Sequence, residues 1–413
     1  MPVSGLMRVA LGLGAPGRSG GAKMATLAQN LMPQGSVVYS DFEGTPTWTV
    51  TGGSIANDTD HVWSGAKSLK VTPDAGMEAK IVTPNGSWDF SNAAYVRMRY
   101  YVHAGNPPAQ LRLMLWSSSG GHADRYALPP GDPFLQDWNT LQAHQNGFIL
   151  SVFDWANPVT KVEIRTKAAA GQQPSVSYDA LELIPETTKA CLVTFDDGRD
   201  SAWDAFEYCK SKGVRGTMYI ITERPGGVGY LTVEQLQEAD AAGWDIGNHT
   251  HSHTDLSAAT EEQTITALTT AKNTLDGWGL SRASAHVAYP YGAYNATTLT
   301  AMSAAQMVTG RTVATGWYAS LPPANNLTLP CYAPGPLVTL EGAKGVINSA
   351  VARGLIPIVL FHRFTAGTPG ESEWNLNDFK SLVDWLIAQQ IYPLTITDFY
   401  ALQSGPVTVP QPW

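Results

Sequence analysis

The chain has 413 residues, of which only 15% are charged and 10% aromatic, with 39 glycines and 27 prolines; this suits two or three loop-rich β or α/β domains better than a helical bundle. A net charge of −9 at pH 7 argues against a nucleic-acid or anionic-membrane partner. Cys191, Cys209 and Cys331 are too few for a disulfide framework and lack zinc-ribbon spacing, and no apolar run approaches the roughly 18 residues that span a bilayer.

Residues 1–36 read as a flexible leader. The apolar patch from Leu6 to Leu13 is interrupted by Arg8 and precedes no small-residue cleavage site, so a weak signal peptide and a start at Met24 are the alternatives. Residues 37–186 carry short alternating or apolar segments, "SLKVTP", "YVRMRYYV", "QLRLMLW", "VEIRTK" and "VSYDALELI", separated by Gly, Pro, Asn and Ser. That pattern predicts an all-β sandwich. Trp48, Trp63, Trp88, Trp116, Trp138 and Trp155 lie within it; an indole fills a sandwich core or stacks on a sugar ring, and the core is the commoner use. With "YSDFEG", "WSGAKSLKV" and "SYDALELI", the region resembles the jelly-roll carbohydrate-binding modules, which implies sugar binding and a structural Ca2+ near Asp41, Glu43 and Asp179.

From 187 to 413 the texture changes, and apolar strands alternate with helical stretches. "ACLVTF", "RGTMYIIT", "WDIGNHT", "AHVAYP", "MVTGRTV", "IPIVLFH" and "YPLTI" read as parallel strands joined by helices, in a number that suits a distorted (β/α)7-8 barrel. Chemistry in such a barrel collects at the carboxyl ends of its strands. The polar clusters of this chain lie there: Asp196 and Asp197 after the first strand, "NHTHSH" after the third, and His362 after "IVLF".

His249 and His253 are four apart, so a helical turn would aim both imidazoles to one side and let them grip one cation. Two histidines and a carboxylate leave positions open for water and substrate. Of two adjacent aspartates, one holds the metal and the other takes a proton from water. An Asp-Asp-Gly alone is usually a turn; the ordered arrival of all three clusters at strand ends points to catalysis.

"TFDDG" (194–198), "NHTHSH" (248–253), "YPYG" (289–292) and "IVLFH" (358–362) together resemble the successive motifs of the polysaccharide deacetylase family, carbohydrate esterase family 4 or the NodB-like homology domain. The resemblance implies a Zn2+ or other divalent transition metal on Asp197, His249 and His253, with Asp196 as base and His362 as acid. It implies that the Tyr291 N–H stabilises the oxyanion and that Leu360 and Pro290 border the acetyl group. The substrate implied is an acetylated polysaccharide, with the acetyl in amide or ester linkage, and the protein itself is expected to be extracellular or secreted, with a virion-associated place as the alternative.

Two positions depart from that pattern. Where the family carries an arginine before Pro-Tyr-Gly, this chain has Ala288, and Arg311 in "TGRTV" is the candidate substitute, an exposed loop arginine being the other reading. No acidic residue occurs from 300 to 340 to orient His362; Trp317 is the candidate pocket wall, and Asp398 is a guess for the missing partner. A glycan-binding adhesin or viral tail component with a vestigial barrel, or an esterase of broader range, is the alternative function.

Overall fold

The computed structural model describes residues 24–27, 37–40, 42–43, 47–63, 65–91, 93–127, 138–145, 148–184, 189–313, 318–321, 323, 325–403 and 407–410. Asp41 and Trp317 lie outside the described residues. Met24–Leu27, from the segment read as a leader, pairs antiparallel with Val407–Pro410.

The amino-terminal half is a sandwich of two six-stranded sheets whose strand pairings are all antiparallel. Along Tyr95–Val102 the even positions Val96, Met98, Tyr100 and Val102 join Leu111, Leu113, Leu115, Val162 and Ile164 in the core between the sheets. That is the period of two expected of a strand. Trp48 stacks on Phe42 in this core, and the other five tryptophans are half-buried. Glu43 Oε1 accepts the Ala66 and Lys67 N–H groups, and Asp179 Oδ2 accepts that of Trp63; these two carboxylates belong to no group of possible metal ligands among the described residues.

The odd positions Tyr95, Arg97 and Arg99 of the same strand are buried too, because they meet the second half of the chain, whereas Tyr101 is half-buried. Arg97 donates to the Leu321 carbonyl at 3.1 Å and Arg99 to Ser320 Oγ at 2.9 Å. Gln142, on the neighbouring strand, donates to the carbonyls of Arg353 and Gly354, both at 3.0 Å. Gly354 has φ +66°, and a Cβ there would meet Gln142 Nε2 and the Tyr95 ring inside 3 Å. Only glycine fits that corner.

The carboxyl-terminal half is built on seven parallel strands. The barrel strands are labelled β1 Ala190–Phe195, β2 Thr217–Ile220, β3 Asp245–Asn248, β4 His286–Ala288, β5 Thr309–Arg311, β6 Ile358–Phe361 and β7 Tyr392–Leu394. Their order is β5-β4-β3-β2-β1-β6, with β7 also on β1. Helices α1 Ala202–Ser211, α2 Val233–Ala241, α3 Glu261–Gly277, α4 Ala296–Ala304, α5 Leu340–Val351, α6 Leu376–Ala388 and α7 Ile396–Ala401 connect them or follow them. Helices α2, α3, α4 and α7 start at reciprocal capping boxes, Thr232 with Gln235, Thr260 with Gln263, Asn295 with Thr298 and Thr395 with Asp398, which satisfy N–H groups that an open helix end leaves bare.

Alternation along β1 sorts its side chains between two cores. Cys191, Val193 and Phe195 pack outward on Phe206, Trp244 and Phe379 of the helical layer. Ala190 and Leu192 point inward to Leu329, Leu360 and Leu394. The seam between β5 and β6 is closed by an irregular segment: Leu329 bridges Arg311 and Tyr332 bridges Val359, each in parallel sense. Thr312 donates to the Leu329 carbonyl at 2.8 Å, and Leu360 to that of Tyr332 at 2.9 Å. The expected barrel is thus a curled half-barrel sheet whose gap this segment spans.

Candidate active site

Two residues beyond Leu192, Thr194 keeps the inward phase and donates to the Val359 carbonyl; two beyond that, Asp196 faces inward at the barrel mouth. Its backbone N–H donates to the Phe361 carbonyl at 2.9 Å. The carboxylate is buried, with Oδ2 bound to the Arg311 guanidinium and Oδ1 without a hydrogen-bond partner among the described residues. Asp197 has φ +68°, a left-handed turn that breaks the strand alternation and brings the second carboxylate to the same mouth.

Arg311 is fully buried. It leaves β5 in register with Ala288 on β4, so the guanidinium rises one strand away from the position where an arginine was looked for. It donates to the Thr312 carbonyl at 3.2 Å and to Cys331 Sγ at 3.6 Å, above the Tyr219 ring. Gly247 leaves the room that this ring occupies, since a Cβ there would lie 2.7 Å from it. Burial opposes the charge of Arg311, but the Asp196 carboxylate outweighs it and holds the guanidinium protonated. Arg311 is therefore no exposed loop residue.

The "HTHSH" segment does not form the expected helical turn. Thr250 and His253 take φ of 62° and 58°, and the loop is pinned by Thr250 N–H to Asn248 Oδ1 at 2.8 Å and Thr254 N–H to Thr250 Oγ1 at 3.2 Å. Side-chain bonds of Asn and Thr compete with helical ones in this way. The histidines still converge: His249 Nε2 and His253 Nε2 each lie 3.5 Å from Asp197 Oδ1. His249 Nδ1 donates to the Ala288 carbonyl at 2.8 Å, which fixes the ring with Nε2 towards Asp197. His251 turns aside to Thr222 Oγ1 at 2.9 Å.

Burial works against the charge of Asp197, but the hydrogen bond and charge of His249, with the charges of His362 and Arg199, hold its carboxyl well below the ordinary range. Burial, then the charge of His249, pushes the His253 imidazole down towards its neutral form. His362 follows β6, half-buried. Asp398 is engaged elsewhere, accepting from Arg215 at 2.7 Å, and is no partner for it.

Pro290, Tyr291 and Gly292 form one 3-10 turn, with Tyr291 at φ +59°. Gly292 and Ala293 donate to Tyr289 and Pro290, while the Tyr291 N–H has no backbone acceptor among the described residues. The exposed Tyr291 ring stands edge-on to His253, 4.5 Å between centroids. Pro290 is buried, and Leu360 lies in the inner core.

Residues 184–310 match the family model for polysaccharide deacetylase. Over 114 residues the chain is 33% identical to YxkH of Bacillus subtilis (strain 168), described as a polysaccharide deacetylase; the match takes in 27% of this chain and 40% of YxkH. The chain thus spans about two fifths of the length of that curated relative. Among solved structures, the deacetylase PplD of Streptococcus pyogenes, in complex with acetate, is 27% identical over 38% of this chain and 69% of its own, with a TM-score of 0.35. The family 11 carbohydrate-binding module of Clostridium thermocellum, in complex with a mixed-linked tetrasaccharide, is 15% identical over 37% of this chain and 96% of its own, with a TM-score of 0.28.

Within the residues that match the family model, the donor set of Asp197, His249 and His253 fits a divalent cation. Two imidazole nitrogens and a carboxylate oxygen lie within 4.8 Å of one another, and the Asp196 carboxylate stands beside them through Oδ2, 3.8 Å from His249 Nε2, while its Oδ1 is buried and unpartnered among the described residues. Sequence reasoning missed Arg199, whose Nε reaches Asp197 Oδ2 at 3.3 Å while its guanidinium covers Tyr230. Its one signal was an arginine directly after Asp-Asp-Gly. Tyr219 and Cys331, which cradle Arg311, carried no local signal.

Proposed function

We propose that the deacetylase domain hydrolyses acetyl groups on a polysaccharide, using a divalent transition metal, of which zinc fits the ligands best. The observation that carries this reading is the placement of Asp196: its Oδ2 binds Arg311 and lies 3.8 Å from His249 Nε2 of the Asp197, His249 and His253 ligand set, and its Oδ1 is buried and unpartnered among the described residues. A cation on those three residues supplies a polarised carbonyl and a more acidic water. Asp196 Oδ1 accepts the proton of the water that attacks the acetyl carbon. The Tyr291 N–H donates to the oxygen that becomes negative. His362 gives its proton to the departing amine or alkoxide, and acetate leaves.

Arg311 acts through Asp196, as a positioning residue that neutralises a charge buried without water. Arg199 does the same for Asp197 from the rim. In this reading the sandwich holds the polymer; the half-buried Tyr101, Trp138 and Trp63 rings, in edge-to-face contact, are its candidate stacking residues. We expect Asp196→Asn to lower acetate release from acetylated glycans about 10²- to 10⁴-fold while the metal, counted by elemental analysis, stays bound. Full activity in that variant, or activity unmoved by a chelator that strips the metal, contradicts the mechanism.

A further inference from the structure

A second set of metal-ligating side chains lies in the sandwich, far along the chain from the deacetylase motifs. Asp58 ends one strand, His61 follows in the next turn, and His103 succeeds the strand Tyr95–Val102. Their ligand atoms lie within 4.8 Å of one another. His61 Nδ1 is 3.1 Å and His103 Nε2 3.2 Å from Asp58 Oδ2. Donors bound to one tetrahedral zinc at about 2.0 Å lie roughly 3.3 Å apart, so these contacts match a shared ion.

The carboxylate is held for that task. Asp58 is 7% exposed, and its Oδ1 accepts the Asp60 and His61 N–H groups at 3.0 and 3.2 Å. This turns Oδ2 towards both imidazoles. Ser177 Oγ also lies 2.6 Å from Oδ2 and 2.8 Å from His103 Nε2. If every contact were a hydrogen bond, three donors would crowd one oxygen that offers two lone pairs. A cation in place of the two imidazole protons removes that conflict, and the Ser177 hydroxyl then orients the ligating carboxylate from behind.

The imidazole faces are fixed as well: the His61 ring stacks on Tyr101 with centroids 3.9 Å apart and meets the His103 ring edge-on at 4.7 Å. The cluster opens into a cleft of 360 Å³ lined by His61, Lys70, Tyr101, His103, Asn106 and Gln173, which leaves the fourth position of a tetrahedral ion open. We infer that Asp58, His61 and His103 form a divalent transition-metal site in the sandwich, separate from the deacetylase centre and unlike an all-oxygen calcium site.

The test counts metal on the full chain after loading with zinc and desalting. Wild type is expected to hold about two zinc ions, His249→Ala/His253→Ala about one, and His61→Ala/His103→Ala about one with acetate release kept. Cobalt(II) loaded into the His249→Ala/His253→Ala chain is expected to give the intense visible bands of a tetrahedral site, bleached by added zinc. That arm needs neither activity nor folding of the sandwich variant, so it separates this inference from the reading of the deacetylase centre. No zinc and no tetrahedral bands in the His249→Ala/His253→Ala chain overturn the inference, as does a zinc content that is the same with and without His61 and His103.

Discussion

In the proposed mechanism the decisive residue is Asp196, and what makes it usable there is the Arg311 guanidinium on its Oδ2. A buried carboxylate left without a cation costs several kcal/mol, so Arg311 does more than decorate the barrel. Arg311→Met is expected to lower kcat about 10²-fold with KM little changed, because nothing then offsets the buried charge at the base. Arg311→Lys should recover part of the loss. Steady-state kinetics checks this; a kcat unmoved in Arg311→Met would leave Arg311 a packing residue only. The division of labour proposed for Asp196 and Asp197 was legible in the pair itself, and which of them takes which part only through the resemblance of the motifs. Their different orientations were not, because they follow from one left-handed φ at Asp197.

At the scale of elements, the parallel strands and most helices were legible because strand and helix periods differ and the capping residues stand where the helices start. The "HTHSH" loop was not, since spacing by four says only that two side chains would meet if the backbone were helical. Nor was the segment around Leu329 to Tyr332, which joins β5 and β6 through single bridges and carries Pro330, a residue with no N–H to offer a ladder. Strands β4 and β5 also share a buried polar pair of which the histidine titrates: His286 Nδ1 lies 3.0 Å from Thr309 Oγ1, and burial pushes this imidazole down to about 4. The unfolded chain then binds the proton that the folded one refuses between about pH 6.5 and 4. Stability is full above that window and is lost as pH falls through it, by up to roughly 3 kcal/mol. Denaturant unfolding of His286→Gln should show a flatter pH dependence there than wild type; an equal slope would acquit His286.

In the whole molecule the two halves are joined by a polar seam. Arg97 and Arg99 lie 3.6 and 3.8 Å from Glu182, and they reach the barrel at Leu321 and Ser320. This covers one end of the sandwich face and leaves the Tyr101 end open. Arg97→Ala should cost about 3–5 kcal/mol, as breaking a buried pair does, and split thermal unfolding into two transitions in calorimetry. One unshifted transition would mean that the seam does not couple the halves.

Amphipathic period, turn chemistry and the order of four motifs are local properties, and these determined the succession of sandwich and barrel and the residues at the strand ends. Register and long-range approach are not local. The level at which β4 and β5 pair puts Arg311 beside Ala288, the fold of the sandwich brings His103 to Asp58 and His61, and the barrel's curvature turns one oxygen of Asp196 to a cation and leaves the other free. No window of sequence contains those pairs, because each is made by chain segments that meet only when the hydrophobic faces of distant elements are buried together.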